Sequence, residues 1–247
     1  MAKLASATII EAQDLYTQSS VPMHKLGQLA YDEFGNRYRY VKAGSSALVT
    51  GNLLQEPAED TQFRSMVVSS AAAIGSKSIS CTLGNTATTA NMFDGGELVV
   101  ESGTGIGQHF RIVSHSVTDA AGTATFIVDR PIKIALVASD SNISVRKNSY
   151  NGVIAFPTTP TGSAVGIALY AMSASYYGWI QSGGDAVALF DNQTNTAADE
   201  SAIMPSRDVA GSVTAVLENI AAPVHIGWGR EQVSVDSTMG FVKLIID

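Results

Sequence analysis

Short apolar runs separated by clusters of Gly, Ser, Thr and Asn recur along the whole chain. That spacing suits many strands joined by turns better than it suits long helices. The clearest stretch begins at Leu98, where Leu-Val-Val-Glu-Ser leads into Gly103-Thr-Gly-Ile-Gly107. His109-Phe-Arg-Ile-Val113 then alternates polar and apolar side chains, the period of a half-buried strand. A second hairpin follows. Asp119-Ala-Ala-Gly122 supplies its turn, and Thr123-Ala-Thr-Phe-Ile-Val128 supplies β-branched and aromatic residues that fit a pleated surface. Ile132 to Val137 and Ile143 to Arg146 extend the array.

On the N-terminal side, Leu26 to Lys42 reads as a hairpin turning at Glu33-Phe34-Gly35-Asn36. Its second strand sets Tyr38, Tyr40 and Lys42 against Arg37, Arg39 and Val41. Met66 to Ile74 is pulled towards strand by Val67 and Val68 and towards helix by Ala71 to Ala73, and strand is the reading adopted. Later, Val165 to Tyr170 and Tyr176 to Gln181 read as strands. Ala186 to Phe190 is expected to partner the second of these across a tight turn at Ser182-Gly-Gly-Asp185. Gly240 to Asp247 closes the chain as a strand whose hydrophobicity demands pairing. The expected fold is therefore all-β, with antiparallel strands forming a sandwich or barrel-like domain, as one unit or two β-subdomains.

Three sections are expected: an N-terminal arm at 1–25, a β-rich domain at 26–147 and a second β-rich section at 148–247. The break falls in the turn-rich Lys147-Asn-Ser-Tyr-Asn-Gly152. The arm, expected to be extended, carries Ile9, Ile10, Ala12 and Leu15 in a partly helical pattern cut short by Ser19-Ser-Val-Pro22, with a first strand as the alternative reading. Those apolar residues need a partner surface, which a neighbouring molecule could offer.

Composition narrows the functional classes. Hydrophobic residues make up 45% of the 247 and charged residues only 15%, so surface polarity rests on Ser, Thr, Asn, Gln and Gly, and much surface is expected to be covered by partners. Fifteen basic against twenty-two acidic side chains leave a formal charge of -7, which argues against nucleic acid as a ligand. The first residues lack a signal-peptide core, and no apolar run is long enough to span a bilayer. A soluble product made in the cytoplasm, with no membrane partner, is expected. Cys81 is the one cysteine, so no internal disulfide can form, and a packed thiol is the natural reading.

Candidate chemistry is sparse. His24, His109, His115 and His225 form no short ligand pair, and His109 and His115 on one strand would stand roughly 20 Å apart. The carboxylate neighbours Asp32-Glu33, Glu59-Asp60 and Asp199-Glu200 point to opposite faces of an extended chain. Gly103-x-Gly105-x-Gly107 is superficially like a phosphate loop, but its third glycine comes one residue early and a strand follows, so turn glycines with positive φ are the simpler reading. Asp140-Ser-Asn142-Ile-Ser144 starts like a calcium loop but has Val145 where glycine and Asn151 where glutamate belong. No catalytic, cofactor-binding or metal-ligating residue is put forward, and no enzyme is expected.

Several separated segments resemble structural proteins encoded among phage head genes. They are Gly27-Gln-Leu-Ala-Tyr31, Gly35-Asn-Arg-Tyr-Arg-Tyr-Val-Lys-Ala-Gly44, Leu48-Val-Thr-Gly51 with Leu54-Gln55, Asn91-Met-Phe-Asp-Gly-Gly-Glu-Leu98, Gly105-Ile-Gly-Gln108, Asn148-Ser-Tyr-Asn-Gly152 and Tyr177-Gly-Trp-Ile-Gln181. The resemblance implies a capsid decoration, or cement, protein on the virion surface. Such a protein binds the outside of the assembled head, bridges major capsid protein subunits and forms a homotrimer or homodimer. Ile9, Ile10, Leu15, Tyr38, Tyr40, Tyr176, Tyr177 and Trp179 are the expected contact residues, since aromatic side chains concentrate at interfaces. Core placement of the same aromatics is the competing expectation. A tail, collar or head-fibre component is the alternative function, and a virion-associated polysaccharide hydrolase a more distant one.

Overall fold

The structure, a computed structural model, describes residues 8–9, 14–191, 201–216, 224–231 and 237–247. Among the described residues helical geometry is confined to two 3-10 turns, Asp14–Tyr16 and Thr61–Phe63, and the regular structure is otherwise strand. The fold is all-β. Strands β1 (Thr8–Ile9), β2 (Leu29–Tyr31), β3 (Arg37–Ala43) and β4 (Leu53–Gln55) come first. β5 (Met66–Val67), β6 (Ser78–Thr82), β7 (Glu97–Ser102), β8 (His109–His115), β9 (Thr123–Val128) and β10 (Asn142–Arg146) follow. The last group is β11 (Asn151–Ala155), β12 (Ala164–Ala168), β13 (Tyr177–Phe190), β14 (Ala202–Pro205), β15 (Val213–Ala215), β16 (Gly227–Gly229) and β17 (Thr238–Ile245).

Two compact units result. One combines Met1–Pro57 with Ser149–Asp247, and the other, Ala58–Asn148, is inserted into it. This corrects the expected domain at 26–147. Residues 26–57 belong with the C-terminal section because β3 pairs with β11 and β13, and β4 with β11 and β12. The two points where the host unit is interrupted are joined by a hydrogen bond, Ser149 Oγ donating to Glu56 Oε2 at 2.7 Å.

The inserted unit is a six-stranded sheet in the order β5-β10-β7-β8-β9-β6, each neighbouring pair antiparallel. A bridge between Val68 and Cys81, with the Ser69 N–H donating to the Ser80 carbonyl at 2.9 Å, brings β5 back to β6 and closes the barrel. Alternate residues point inward, as the strand period requires. Phe110 and Ile112 of β8 and Ala124, Phe126 and Val128 of β9 meet Leu98, Val100, Ile143 and Val145 in one buried cluster. Phe63 and Phe93 pack edge to face at 4.8 Å between centroids. Each such side chain contributes about 1.5–3 kcal/mol on burial. Cys81 lies in this core, and burial pushes its thiol up to about 12. The segment 132–137, expected as a strand, is a loop tied to residues 72–76: Leu136 is bridged to Ala72, and Ile132 accepts the Gly75 N–H at 2.9 Å and donates to the Ser76 carbonyl at 2.8 Å. Ile132 and Leu136 are buried but Ile134 between them is exposed, so the segment does not keep the alternation of a strand.

In the host unit β13 is the organising element. Its first half pairs with β3 on one side and β12 on the other, and with β11 and β4 these strands close a ring. Its second half pairs with β17 and, at Phe190, with β15, and β14 and β16 complete a second ring. Val41, Leu54, Val153, Val165 and Ile180 fill one core, and Phe190, Ile203, Val213, Val242 and Leu244 the other. The expected hairpin turn at Ser182-Gly-Gly-Asp185 is therefore interior to one strand. Gly183 is the switch point, opposite Arg37 of β3 and Ile245 of β17. Gly184 has φ +88° and lies against Asn36, so a glycine pair that resembles a turn in sequence instead bends a continuous strand between two partners.

Candidate interaction surfaces

The expected contact residues separate on folding. Leu15, Tyr38, Tyr40 and Trp179 form a buried cluster with Ala30, and Tyr40 and Trp179 are each 2% exposed. Strand register explains the cluster: Trp179 stands directly opposite Tyr40, their rings edge to face at 5.2 Å. The Tyr40 hydroxyl accepts the Met23 N–H at 3.0 Å, and the Tyr38 hydroxyl donates to Asp32 at 2.9 Å. Burial and the Asp32 carboxylate push the Tyr38 hydroxyl well above its ordinary range. These four side chains are core, a correction that follows from cross-strand pairing and from the N-terminal segment folding back over the sheet. Tyr177 is half-buried beneath the Lys42 ammonium, and Tyr176 is exposed. Ile9 pairs through its backbone with Tyr31, and Ile10 lies outside the described residues.

Two other surfaces leave large apolar side chains in solvent. The first is one end of the inserted barrel. Because its strands alternate in direction, the loops after β5, β7 and β9 emerge together, opposite the end where the chain enters and leaves this unit. Ile74 is 68% exposed and Ile106 63%, and Ile134 and Val137 are exposed beside them. Hydrogen bonds fix the three loops to one another. Ala72 and Leu136 exchange backbone bonds at 3.0 and 2.9 Å, and Gln108 Nε2 donates to the Ile134 carbonyl at 2.8 Å while its Oε1 accepts the Lys133 N–H at 2.8 Å. Asp140 accepts the Thr104 N–H at 2.7 Å, so the residues that looked like a calcium loop hold the glycine turn instead. Gly103, Gly105 and Gly107 have φ of 75°, 87° and 85°. Side chains held out by so fixed a frame lose little freedom on docking.

The second surface is the outer face of β13, β16 and β17. Along β17, Met239, Phe241 and Ile245 point outward with Lys243 among them. Val187 stands opposite Phe241, and Trp228 opposite Lys243. Phe241 is 60% exposed and borders two hollows, of about 440 and 270 Å³. Neither surface was among the expected contacts. A signal did exist at the first, since an aliphatic residue set among small turn-formers, as in Ala-Ile74-Gly or Gly-Ile106-Gly, has no core to enter.

A hollow of about 340 Å³ on the inserted barrel is lined by Glu59, Arg64, Glu97, Glu101, His109 and Arg146. Its charges are mutually engaged. Arg64 Nε donates to Glu59 at 2.6 Å, Glu97 faces Arg111 at 3.6 Å and His109 at 3.7 Å, and Glu101 accepts from Ser144 and Ser65. Arg64 holds the Glu59 carboxyl, and Ser144 with Ser65 the Glu101 carboxyl, below the usual range. A general acid needs the opposite displacement. Glu97 and Glu101, four residues apart on one strand, stand about 13 Å from each other, beyond the separation used in glycoside hydrolysis. His115 is structural: its Nε2 accepts the Phe93 N–H at 3.1 Å and its Nδ1 faces the Ser116 carbonyl at 2.9 Å. Among the described residues no three His, Cys, Asp or Glu side chains are grouped to hold a metal ion. Comparison with protein-family models, with curated proteins and with solved structures gave no match.

Proposed function

We propose that this chain is a structural subunit of a phage particle, a decoration protein that seats on the outside of the assembled head and bridges major capsid protein subunits. The observation that carries the reading is the loop end of the inserted barrel, where three mutually bonded loops present Ile74, Ile106, Ile134 and Val137 to solvent. A decorator acts by linkage: binding the closed shell better than loose capsomers adds the binding free energy to shell stability without a chemical step. An end of this kind, apolar and preorganised, suits that task. A chain of net charge -7 also gains a solubility reserve while its contact surface stays apolar.

Co-sedimentation with purified expanded heads, and separately with purified tails, tests the proposal. The wild-type chain is expected to travel with heads. Replacing Ile74, Ile106 and Ile134 together by Ser removes roughly 1 kcal/mol of burial at each half-covered position and is expected to weaken attachment about a hundredfold. The three side chains are solvent-facing, so the barrel remains folded, as continued protection of Cys81 from thiol reagents would report. Attachment to tails alone would shift the reading to a tail or collar component. Unchanged affinity of the triple variant for heads would overturn the assignment of this surface.

A further inference from the structure

We infer that the larger of the two hollows beside Phe241 binds an uncharged sugar ring, whose C–H face lies on an aromatic side chain while its hydroxyl groups bond to Gln181 and Asp185. The hollow belongs wholly to the host unit, so the inference does not rest on the assignment of the loop end to the head.

The hollow exists because a covered part of the sheet runs into an uncovered one. Leu15, from the turn Asp14–Tyr16, packs on Tyr38, Tyr40 and Trp179, whereas Val187 and Phe241, further along β13 and β17, are exposed. At the step between them lies the space of about 440 Å³ that Tyr16 and Phe241 both line; pockets for small ligands span about 300–1,000 Å³. Tyr16 is 59% exposed, so its ring, like that of Phe241, is open to stacking. It is also held in place. Leu15 before it is buried, the Thr17 carbonyl after it accepts the Tyr170 hydroxyl, and the Tyr170 ring lies 6.2 Å from it between centroids. A wall fixed in this way loses little freedom when a ligand settles on it.

The floor supplies the observation that calls for a ligand. Gln181 is 4% exposed, and its amide nitrogen is committed within its own strand, Nε2 donating to the Asp185 carbonyl at 2.7 Å and to the Gly183 carbonyl at 3.3 Å. Those two acceptors fix the orientation of the amide, because an oxygen in the same place would face only oxygens. Oε1 is left as a fixed acceptor, and among the described residues no group donates to it. Nor is it sealed in the core. Among the described residues Ser212 Oγ is the one enclosed side-chain polar atom without a partner, so Gln181 Oε1 opens on the hollow that its residue lines. A donor brought there recovers an interaction that the folded chain alone does not make.

The chemistry of the lining selects the class of ligand. No described lysine, arginine or histidine lines the hollow, so a carboxylate or phosphate meets no counter-charge there. Asp185 is paired with Arg230 at 2.7 Å, which removes the charge that would hold a cation. What remains is aromatic surface together with acceptors: Gln181 Oε1 and the Asp185 carboxylate, beside the Thr50 and Tyr16 hydroxyls, which can donate or accept. A wholly apolar ligand would cover Gln181 Oε1 without giving it a donor, at a net cost. A sugar ring carries both halves of the complement, C–H groups for the ring faces and several O–H donors for the acceptors.

Ligand-observed saturation-transfer NMR on the purified full chain tests the inference, with the methyl glycosides of glucose, galactose and mannose as probes, that of glucuronic acid as the anionic control and phenol as the aromatic one. At least one neutral glycoside is expected to bind saturably with a Kd of about 1 mM, the scale of a single small ring, and the glucuronide and phenol at least about tenfold more weakly. Replacing Tyr16 and Phe241 together by Ser removes both ring faces and is expected to raise the Kd about tenfold or more. Gln181→Met keeps the length of the side chain but not the acceptor, and is expected to weaken the glycoside about tenfold while leaving phenol as tightly bound or tighter. Gln181 is buried, so the exposed Tyr16 and Phe241 pair keeps the test decisive if Gln181→Met fails to fold. A neutral tetrasaccharide ending in the favoured sugar distinguishes two sources of the ring: affinity several-fold above the methyl glycoside assigns the hollow to a glycan chain, and affinity no higher assigns it to a free sugar. No saturable binding of any neutral glycoside, or binding that the Tyr16 and Phe241 replacements leave unchanged, would overturn the inference. So would phenol bound more tightly than every glycoside by the wild-type chain, which would point to an aromatic side chain of a partner protein.

Discussion

Gly184→Ala probes the bend in β13 on which both rings of the host unit depend. Gly184 has φ +88°, and an added Cβ would come within 2.9 Å of the Asn36 Cα and 3.1 Å of its Cγ. The left-handed conformation costs an L-residue about 1–2 kcal/mol. Asn36 would also have to withdraw, and the bond from the Asp185 N–H to Asn36 Oδ1, 2.9 Å long, would be lost, removing about 1 kcal/mol more. The total, about 2–3 kcal/mol, lowers the melting temperature of a unit of this size by about 4–12 °C. Gly35→Ala is the control: Gly35 has φ +82° but nothing within 4 Å of a Cβ, so it incurs only the backbone penalty. Both Trp and all eight Tyr residues lie in the host unit, so thermal unfolding followed by intrinsic fluorescence reads that unit alone. The reasoning is refuted if Gly184→Ala melts at or above the temperature of Gly35→Ala.

Two further outcomes are expected. Cys81, buried and with its thiol pushed up to about 12, should react with a thiol reagent only as the inserted barrel opens, and modification at the rate of a free thiol in native buffer would contradict its placement. For Asp32, burial would raise the carboxyl, but hydrogen bonds from Asn36, Tyr38 and Phe34 outweigh it and hold the group below 3.8. Because the folded value is the lower, the unfolded chain takes up the proton first. The stabilisation is thus complete above the unfolded value and lost as pH falls through the folded one. Asp32→Asn should lower stability by about 1 kcal/mol near neutrality and by progressively less below about pH 4, as measured by chemical denaturation; a difference constant with pH would refute the account.

Local pattern carried much of the fold. The hairpin of β7 and β8, and β9 after it, were legible because alternation at His109 to Val113 and Thr123 to Val128 fixes one buried face. What failed was non-local. The return of β3 to β11 and β13 leaves no local trace, so the interruption between Pro57 and Ala58 was invisible, although the re-entry near Asn148 was marked by its turn-rich composition. Ser182-Gly-Gly-Asp185 misled because a glycine pair serves a hairpin turn and a strand bend equally well, and only the change of partner at Gly183 distinguishes them. The aromatic residues divided for a similar reason. Tyr40 and Trp179 are core because the N-terminal segment lays Leu15 over the face they share, whereas Phe241 and Val187, equally opposite each other, lie on a face left exposed. Side-chain type is the same in both settings.

The contact between Glu56 and Ser149 has an architectural consequence. Since the ends of the gap in the host unit already touch, residues 58–148 form a cassette: a splice of a residue or two could replace them without pulling any strand of the double ring out of place. Lineages could then exchange the barrel, and with it the loop end that carries Ile74, Ile106 and Ile134, while the double ring is inherited intact.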